Sequence, residues 1–193
     1  MESRAHKIRL APNNAQTTYF KKACGVKRVA YNWALEEWKK QYDLSLEDDT
    51  VKRPNEAALR KRLNACKKEK FPWMSEVTKC APQQAIRDLG TAFSNFFSGK
   101  SKHPTFKKKF IRDSFYLSND QFRLNEKGDC VKIPNLGWVK LKEQLRFKGK
   151  ILSATVSRQA DRWYVAINVE ADNVKINDRK NQAVVGVDFG IKH

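Results

Sequence analysis

The chain has 193 residues and a net charge of +18, from 39 Lys and Arg against 21 Asp and Glu. This excess predicts a polyanionic partner, nucleic acid first and an anionic membrane surface second. Aromatic residues make up 11% of the chain, too many for a disordered basic tail, so we expect a folded protein.

The first ten residues are charged, with Arg4, Lys7 and Arg9, and no apolar stretch follows them. We therefore expect no secretory leader. No apolar run approaches the length of a membrane span, so we expect no membrane partner. The four cysteines are far apart and show no C-x-x-C spacing: Cys24, Cys66, Cys80 and Cys130. Their spacing argues against a disulfide framework and predicts no zinc site in this chain.

The first elements follow from alternation and capping. Residues 6–10 alternate between apolar and charged side chains, which predicts a strand. Asn13 and Gln16 have the spacing of a capping box for a helix to about residue 23. We expect Gly25 to break that helix and a second helix to span about 26–42.

Two further helices are predicted after an acidic loop at 43–54. Asn55 is placed to cap a helix over 56–69, and apolar side chains at helical spacing predict another over 82–97. The large aromatic residues of the helical part are expected to be core residues: Trp33, Trp38, Phe93 and Phe97.

Residues 98–112 are the most basic stretch, with aromatic residues between the lysines. Such a mixture suits a phosphate backbone with a stacked base or sugar. The alternative is a solvated linker between a helical and a β part.

From residue 114 the pattern changes to short alternating strands separated by turns. They fall at about 115–117, 122–124, 131–133, 138–141, 151–158 and 162–170, which predicts a small barrel or sandwich. Residues 184–191 form one more apolar strand, with Asp188 in it. A carboxylate there either binds a metal or lies in a turn at the strand's end.

Several blocks, in order along nearly the whole chain, resemble the N-terminal part of the TnpB (OrfB) proteins of insertion sequences. These are RNA-guided DNA endonucleases related to type V CRISPR effectors. The matching blocks are RVAYNWAL at 28–35, FPWMSEV at 71–77, the helix at 83–97, HPTFKK at 103–108, IPNLGWVK at 133–140 and VGVDFGI at 185–191.

The resemblance implies an α+β protein. A wedge β-barrel would combine residues 1–12 with 105–182, and a helical recognition domain would be inserted at 13–104. A RuvC-like (RNase H-like) α/β nuclease domain would begin at 183–193. Such proteins hold a guide RNA and target double-stranded DNA, so the resemblance implies a cytoplasmic, nucleoid-associated protein of a prokaryote.

Asp188 matches the first catalytic and metal-binding carboxylate of that nuclease. Two-metal hydrolysis needs several carboxylates, and Mg²⁺ prefers such oxygen ligands. The family's other carboxylates and its zinc-binding cysteines lie beyond this chain. We therefore expect Mg²⁺ only in the complete nuclease domain, and no cleavage by this chain alone.

The resemblance also assigns DNA motif-binding residues: Lys79, Gln83, Ser118 and Asn119. Lysine can bond a base edge or a phosphate, and Gln or Asn can pair with adenine. Their alternative role is ordinary helix-start and turn chemistry. Cys80 and Pro82 differ from the family's usual larger apolar residues, which leaves the motif open. The candidates for nucleic-acid backbone contacts are Arg28, Arg53, Lys67, Lys68, Lys107, Lys108 and Lys109.

Other functions remain alternatives. Residues 13–23 and 26–42, joined at Gly25, could form a DNA-binding helix-turn-helix. Against it, the second helix is apolar on two faces and carries Trp33 and Trp38. A nuclease-inactive RNA-guided repressor and a ribosome-like RNA-binding module are the remaining candidates.

Overall fold

The computed structural model describes residues 2–171 of the chain. The predicted strand at 184–191, with Asp188, lies outside the described residues. The fold is α+β, as predicted. Its elements are β1 (Glu2–Ala11), α1 (Asn14–Glu47), α2 (Glu56–Lys70), α3 (Cys80–Phe97), β2 (Ser114–Ser118), β3 (Arg123–Leu124), β4 (Cys130–Ile133), β5 (Gly137–Leu141), β6 (Gly149–Gln159) and β7 (Arg162–Ala171).

Helix α1 is one continuous helix of 34 residues, so the predicted break at Gly25 is wrong. The predicted capping box is present: Gln16 N donates to Asn13 Oδ1 at 2.8 Å, and Asn13 N donates to Gln16 Oε1 at 3.0 Å. A mid-helix glycine costs about 1 kcal/mol relative to alanine. The cost is offset because buried side chains continue at helical spacing on both sides of Gly25: Tyr19, Phe20, Ala23, Val26, Ala30 and Tyr31.

Helices α2 and α3 pack against each other and against α1. Asn55 caps α2 as predicted, accepting a hydrogen bond from Ala58 N at 2.9 Å. Trp38 of α1 stacks on Phe93 of α3 with ring centroids 4.2 Å apart. Both are core residues, as expected, whereas Phe97 is 62% exposed and its predicted core position is wrong. The physical reason is that Phe97 is the last residue of α3 and lies beyond its buried face.

The strands form an antiparallel sheet in the order β2-β6-β7-β1-β5-β4-β3. Strands β2 and β3 are its two edges, yet only residues 119–122 separate them along the chain. In a flat sheet, six inter-strand spacings of about 4.8 Å would separate these two edges. The connecting residues, at about 3.8 Å each, are too few to cover that distance, so the sheet must curl. No pairing joins β2 to β3 among the described strands. Within residues 2–171 the sheet is therefore open, and the predicted β-barrel is not confirmed.

The helices lie between β1 and β2 in sequence and share one apolar core with the sheet. Phe20 of α1 connects them, with ring centroids 5.8 Å from Phe115 of β2 and 5.0 Å from Trp163 of β7. The boundaries 13–104 and 105–182 stay predictions. No helix between residues 2 and 171 has the length and apolarity that a membrane crossing requires.

Candidate nucleic-acid interface

A groove of about 510 Å³ lies where the helical part meets the sheet. Its walls come from the end of α2, the 3-10 turn Pro72–Glu76, the start of α3 and the connection between β4 and β5. Basic and amide side chains are among its lining residues: Lys67, Lys68, Lys79, Gln121 and Asn135. The groove thus combines cations for phosphates with groups that can pair with base edges.

Tyr19 of α1 fixes two walls of this groove. Its hydroxyl donates to Pro134 O at 2.8 Å and accepts from Thr78 N at 2.9 Å. Burial raises the pKa of Tyr19 to about 12, so the phenol keeps the proton that it donates. Thr78 Oγ1 in turn accepts from Cys80 N at 3.2 Å at the start of α3. This buried hydroxyl group therefore links the helical wall of the groove to the sheet wall.

Asn135 makes a second connection across the groove. Its side-chain Nδ2 donates to Ser75 O at 3.2 Å. Asn135 has a φ of 61°, a left-handed conformation that asparagine tolerates better than most residues. The 3-10 turn and the β4–β5 connection are joined at this residue.

The four predicted motif-binding residues come from two distant segments that the fold brings together. Cys80 Sγ lies 3.2 Å from Ser118 Oγ, and Lys79 Nζ lies 3.2 Å from Asp120 Oδ2. Gln83 is half-buried one turn further along α3, and Asn119 is exposed at the start of the turn that follows β2. The start of α3 and the end of β2 thus form one surface.

Asp120 is the acidic residue of this surface. Hydrogen bonds from Ser118, from Gln121 and from Lys79 lower the pKa of its carboxyl group to about 2. The carboxylate is therefore ionised, and it forms an ion pair with Lys79 when no ligand is bound. A phosphate that approached Lys79 would have to replace it.

The basic segment at 107–109 is attached to α1. Lys107 N donates to Asn32 Oδ1 at 2.8 Å, and Asn32 Nδ2 donates to Lys107 O at 3.1 Å. Lys107 Nζ lies 4.7 Å from the ring centroid of Tyr31. Lys108 and Lys109 are exposed. The backbone of Lys107 thus anchors the segment to α1.

Arg28 and Arg53, two of the residues predicted to contact the nucleic-acid backbone, do not line the groove. Arg28 lines a separate hollow beside Trp73 and Glu76. Arg53 is exposed in the connection between α1 and α2. Lys67 and Lys68, which are also predicted to contact the nucleic-acid backbone, line the same groove as Lys79.

Sequence reasoning missed Tyr19, Asp120 and Asn135 as site residues. The turn signal at 135–137 was visible in the sequence, but its approach to Ser75 is set by tertiary packing. Asp188, assigned to Mg²⁺, lies outside the described residues. Across residues 2–171 no three His, Cys, Asp or Glu side chains are grouped as metal ligands, and the four cysteines are free thiols.

One family model and two known proteins that are similar to this chain point to the same family. Residues 1–45 match the helix-turn-helix domain of the OrfB_IS605 family. A protein of Escherichia coli (strain K12), provisionally named RNA-guided DNA endonuclease InsQ, is 28% identical over 119 residues, covering 62% of this chain and 29% of that protein. A provisionally named RNA-guided DNA endonuclease of Streptomyces pristinaespiralis is 30% identical over 198 residues, covering 97% and 46%.

This chain thus spans less than half the length of either relative. The region that matches the helix-turn-helix family consists here of β1 and most of α1. The predicted turn at Gly25 is absent from the continuous helix α1. The two-helix DNA-binding arrangement considered from the sequence is therefore not formed at that position.

Proposed function

Because the chain belongs to the TnpB (OrfB) family of insertion-sequence proteins, we propose that it is the nucleic-acid-binding part of an RNA-guided DNA endonuclease. In this role it holds a guide RNA and binds a short motif beside a double-stranded DNA target. The net charge of +18 supports a polyanionic partner.

The convergence of Lys79 and Gln83 with Ser118 and Asn119 carries this proposal. The resemblance assigned these residues from two segments more than thirty positions apart, and side-chain contacts join the two segments. Of these residues, Lys79 lines the groove together with Lys67 and Lys68, which supports a role of this surface in binding nucleic acid. Gln83 and Asn119 would contact base edges, and Lys79 a base edge or a phosphate.

The cations on the surrounding surface would supply affinity without sequence specificity. Lys67 and Lys68 beside the groove, with the anchored segment 107–109, would contact phosphates. Arg28 and Arg53 would extend the same electrostatic surface away from the groove. Binding is accordingly expected to weaken steeply as the salt concentration rises.

Asp188 is proposed as one of the carboxylates that hold Mg²⁺ for DNA cleavage. The metal would supply Lewis-acid stabilisation of the scissile phosphate when bound. A single carboxylate is too few ligands for that chemistry. The described residues contribute binding and positioning of nucleic acid.

The test of this function is to purify the chain from its native cell at mild salt and to sequence the RNA bound to it. The expected result is one structured RNA encoded beside the chain's own gene. A control with lysines 67, 68, 107, 108 and 109 changed to glutamine should recover much less of it. Recovery of mixed RNA, with tight binding to one DNA sequence in its absence, would contradict the guide-RNA function.

A further inference from the structure

An exposed row of three side chains crosses the strands at one edge of the sheet. Arg123 of β3 is paired with Lys132 of β4, and Lys132 is paired with Trp138 of β5. Directly paired residues point to the same face of a sheet. The next row, Leu124, Val131 and Val139, points to the other face. There Val131 and Val139 are fully buried, so the first row lies on the outer face.

Trp138 is 43% exposed in this row. The guanidinium carbon of Arg123 lies 5.8 Å from its ring centroid, and Lys132 Nζ lies 5.9 Å from it. Strand β1 pairs with β5 only at Leu141 and Lys140, so it places no residue opposite Trp138. An indole exposed in this way gains little from hydrophobic burial. Packing in the core therefore does not explain the position of Trp138.

The two cations have no acidic partner within the described part of the chain. Neither Arg123 nor Lys132 is in an ion pair there, unlike Lys79, which is paired with Asp120. Lys140 on the same strand as Trp138 is also exposed and without an ion pair. The face around the indole is therefore positively charged, which complements an anionic ligand.

A hollow of about 400 Å³ adjoins the row. Arg123 and Lys132 line it, together with Asp120 (which is paired with Lys79), Gln121, Pro134 and Asn135. These last three residues also line the groove described above. The row, the hollow and the groove thus form one continuous surface.

We propose that Arg123, Lys132 and Trp138 form a binding site for one unpaired nucleotide, whose base stacks on the indole and whose phosphates contact the cations. The proposal rests on the proposed nucleic-acid-binding function and adds a site and a ligand class to it. Stacking requires an uncovered base face, which a nucleotide inside a duplex does not offer. The ligand is therefore single-stranded, from RNA or from DNA.

The test measures binding of fluorescently labelled short single strands, one of RNA and one of DNA with the same sequence, and of the corresponding DNA duplex. Trp138→Leu should weaken single-strand binding by about 5- to 100-fold and leave duplex binding nearly unchanged. Trp138→Phe should retain most of the affinity. Lys132→Gln should lower the slope of log affinity against log salt by about 0.7.

Phe97→Leu is the control, because Phe97 is 62% exposed at the end of α3, outside the residues assigned to binding. Thermal melting of each variant checks that it folds. The stacking site would be overturned if Trp138→Leu and the unchanged chain had equal single-strand affinity. It would also be overturned by an equal loss of affinity with the duplex or with Phe97→Leu. An unchanged chain that bound no nucleic acid would overturn the proposed function as well. The strand that loses more affinity in Trp138→Leu identifies the source of the nucleotide.

Discussion

At the scale of single residues, the Tyr19 hydroxyl group joins two walls of the groove. One hydroxyl group serves both Thr78 N and Pro134 O, and these atoms belong to different walls of the groove. Thr78 is 1% exposed, so water cannot replace the lost partner. A buried N–H without a partner costs about 1–3 kcal/mol.

Tyr19→Phe is therefore expected to lower the free energy of unfolding by about 1–3 kcal/mol and to weaken nucleic-acid binding at the groove. Urea unfolding and a binding titration measure the two effects. Tyr116→Phe is the control, because Tyr116 is a half-buried tyrosine outside the groove lining. Equal unfolding midpoints for the two variants would show that the Tyr19 hydroxyl does not hold the groove.

Asp120 is expected to oppose binding of phosphate. Its pKa of about 2 keeps it ionised beside Lys79, so Asp120→Asn removes a repulsive charge and frees the lysine. Affinity for DNA that carries the recognised motif should rise roughly two- to fivefold, the range for one exposed ion pair.

Asp161→Asn is the matched control for Asp120→Asn, because Asp161 is an exposed acid paired with Arg158. A similar gain in both variants would mean that net charge alone changes the affinity. A loss of affinity in Asp120→Asn would instead give Asp120 a direct role in binding.

At the scale of elements, the continuity of α1 is the main difference between sequence and structure. Gly25 lies inside the helix, and a Cβ built there would meet only Arg28 Nη2, at 3.8 Å. Gly25→Ala should therefore raise the free energy of unfolding by about 0.5–1 kcal/mol, since alanine loses less backbone entropy. Chemical denaturation measures the change.

Gly90→Ala serves as the control, because Gly90 is also inside a helix but faces α2. A Cβ at Gly90 would lie 2.9 Å from Glu56 Cβ, so this variant is expected to be less stable by about 1–3 kcal/mol. If Gly25→Ala were destabilising instead, Gly25 would occupy a turn, and a helix-turn-helix arrangement would be supported.

At the scale of the whole molecule, the high positive charge makes salt dependence the most direct measure of contact. Each phosphate contact contributes about 0.7 to 0.9 to the slope of log affinity against log salt. Changing Lys107, Lys108 and Lys109 to glutamine should lower that slope by about 2 to 3. Fluorescence titrations at several salt concentrations provide the measurement.

A second triple variant, of Lys142, Lys148 and Lys150, is the control for general charge, because these lysines are exposed outside that segment. An equal fall in slope for both triples would mean that the segment 107–109 makes no specific contact. The backbone anchoring through Asn32 is the reason to expect a difference.

The sequence determined the local elements because local signals are enough to form them. The capping residues Asn13 and Asn55 act as predicted, and the alternating strands predicted between residues 115 and 170 are present. Side-chain spacing also predicted the core residues Trp38 and Phe93. The family was recognisable from the order of its sequence blocks.

Tertiary structure decided the rest. Local chemistry favours a break at Gly25, but burial on both sides of it keeps α1 continuous, since packing energy exceeds the cost of one glycine. The sheet order and its open edges follow from pairing between segments far apart in sequence. The walls of the groove come from distant segments, which Tyr19 joins by bonding Thr78 and Pro134 at once. Such contacts depend on distances through space, which no spacing along the chain encodes.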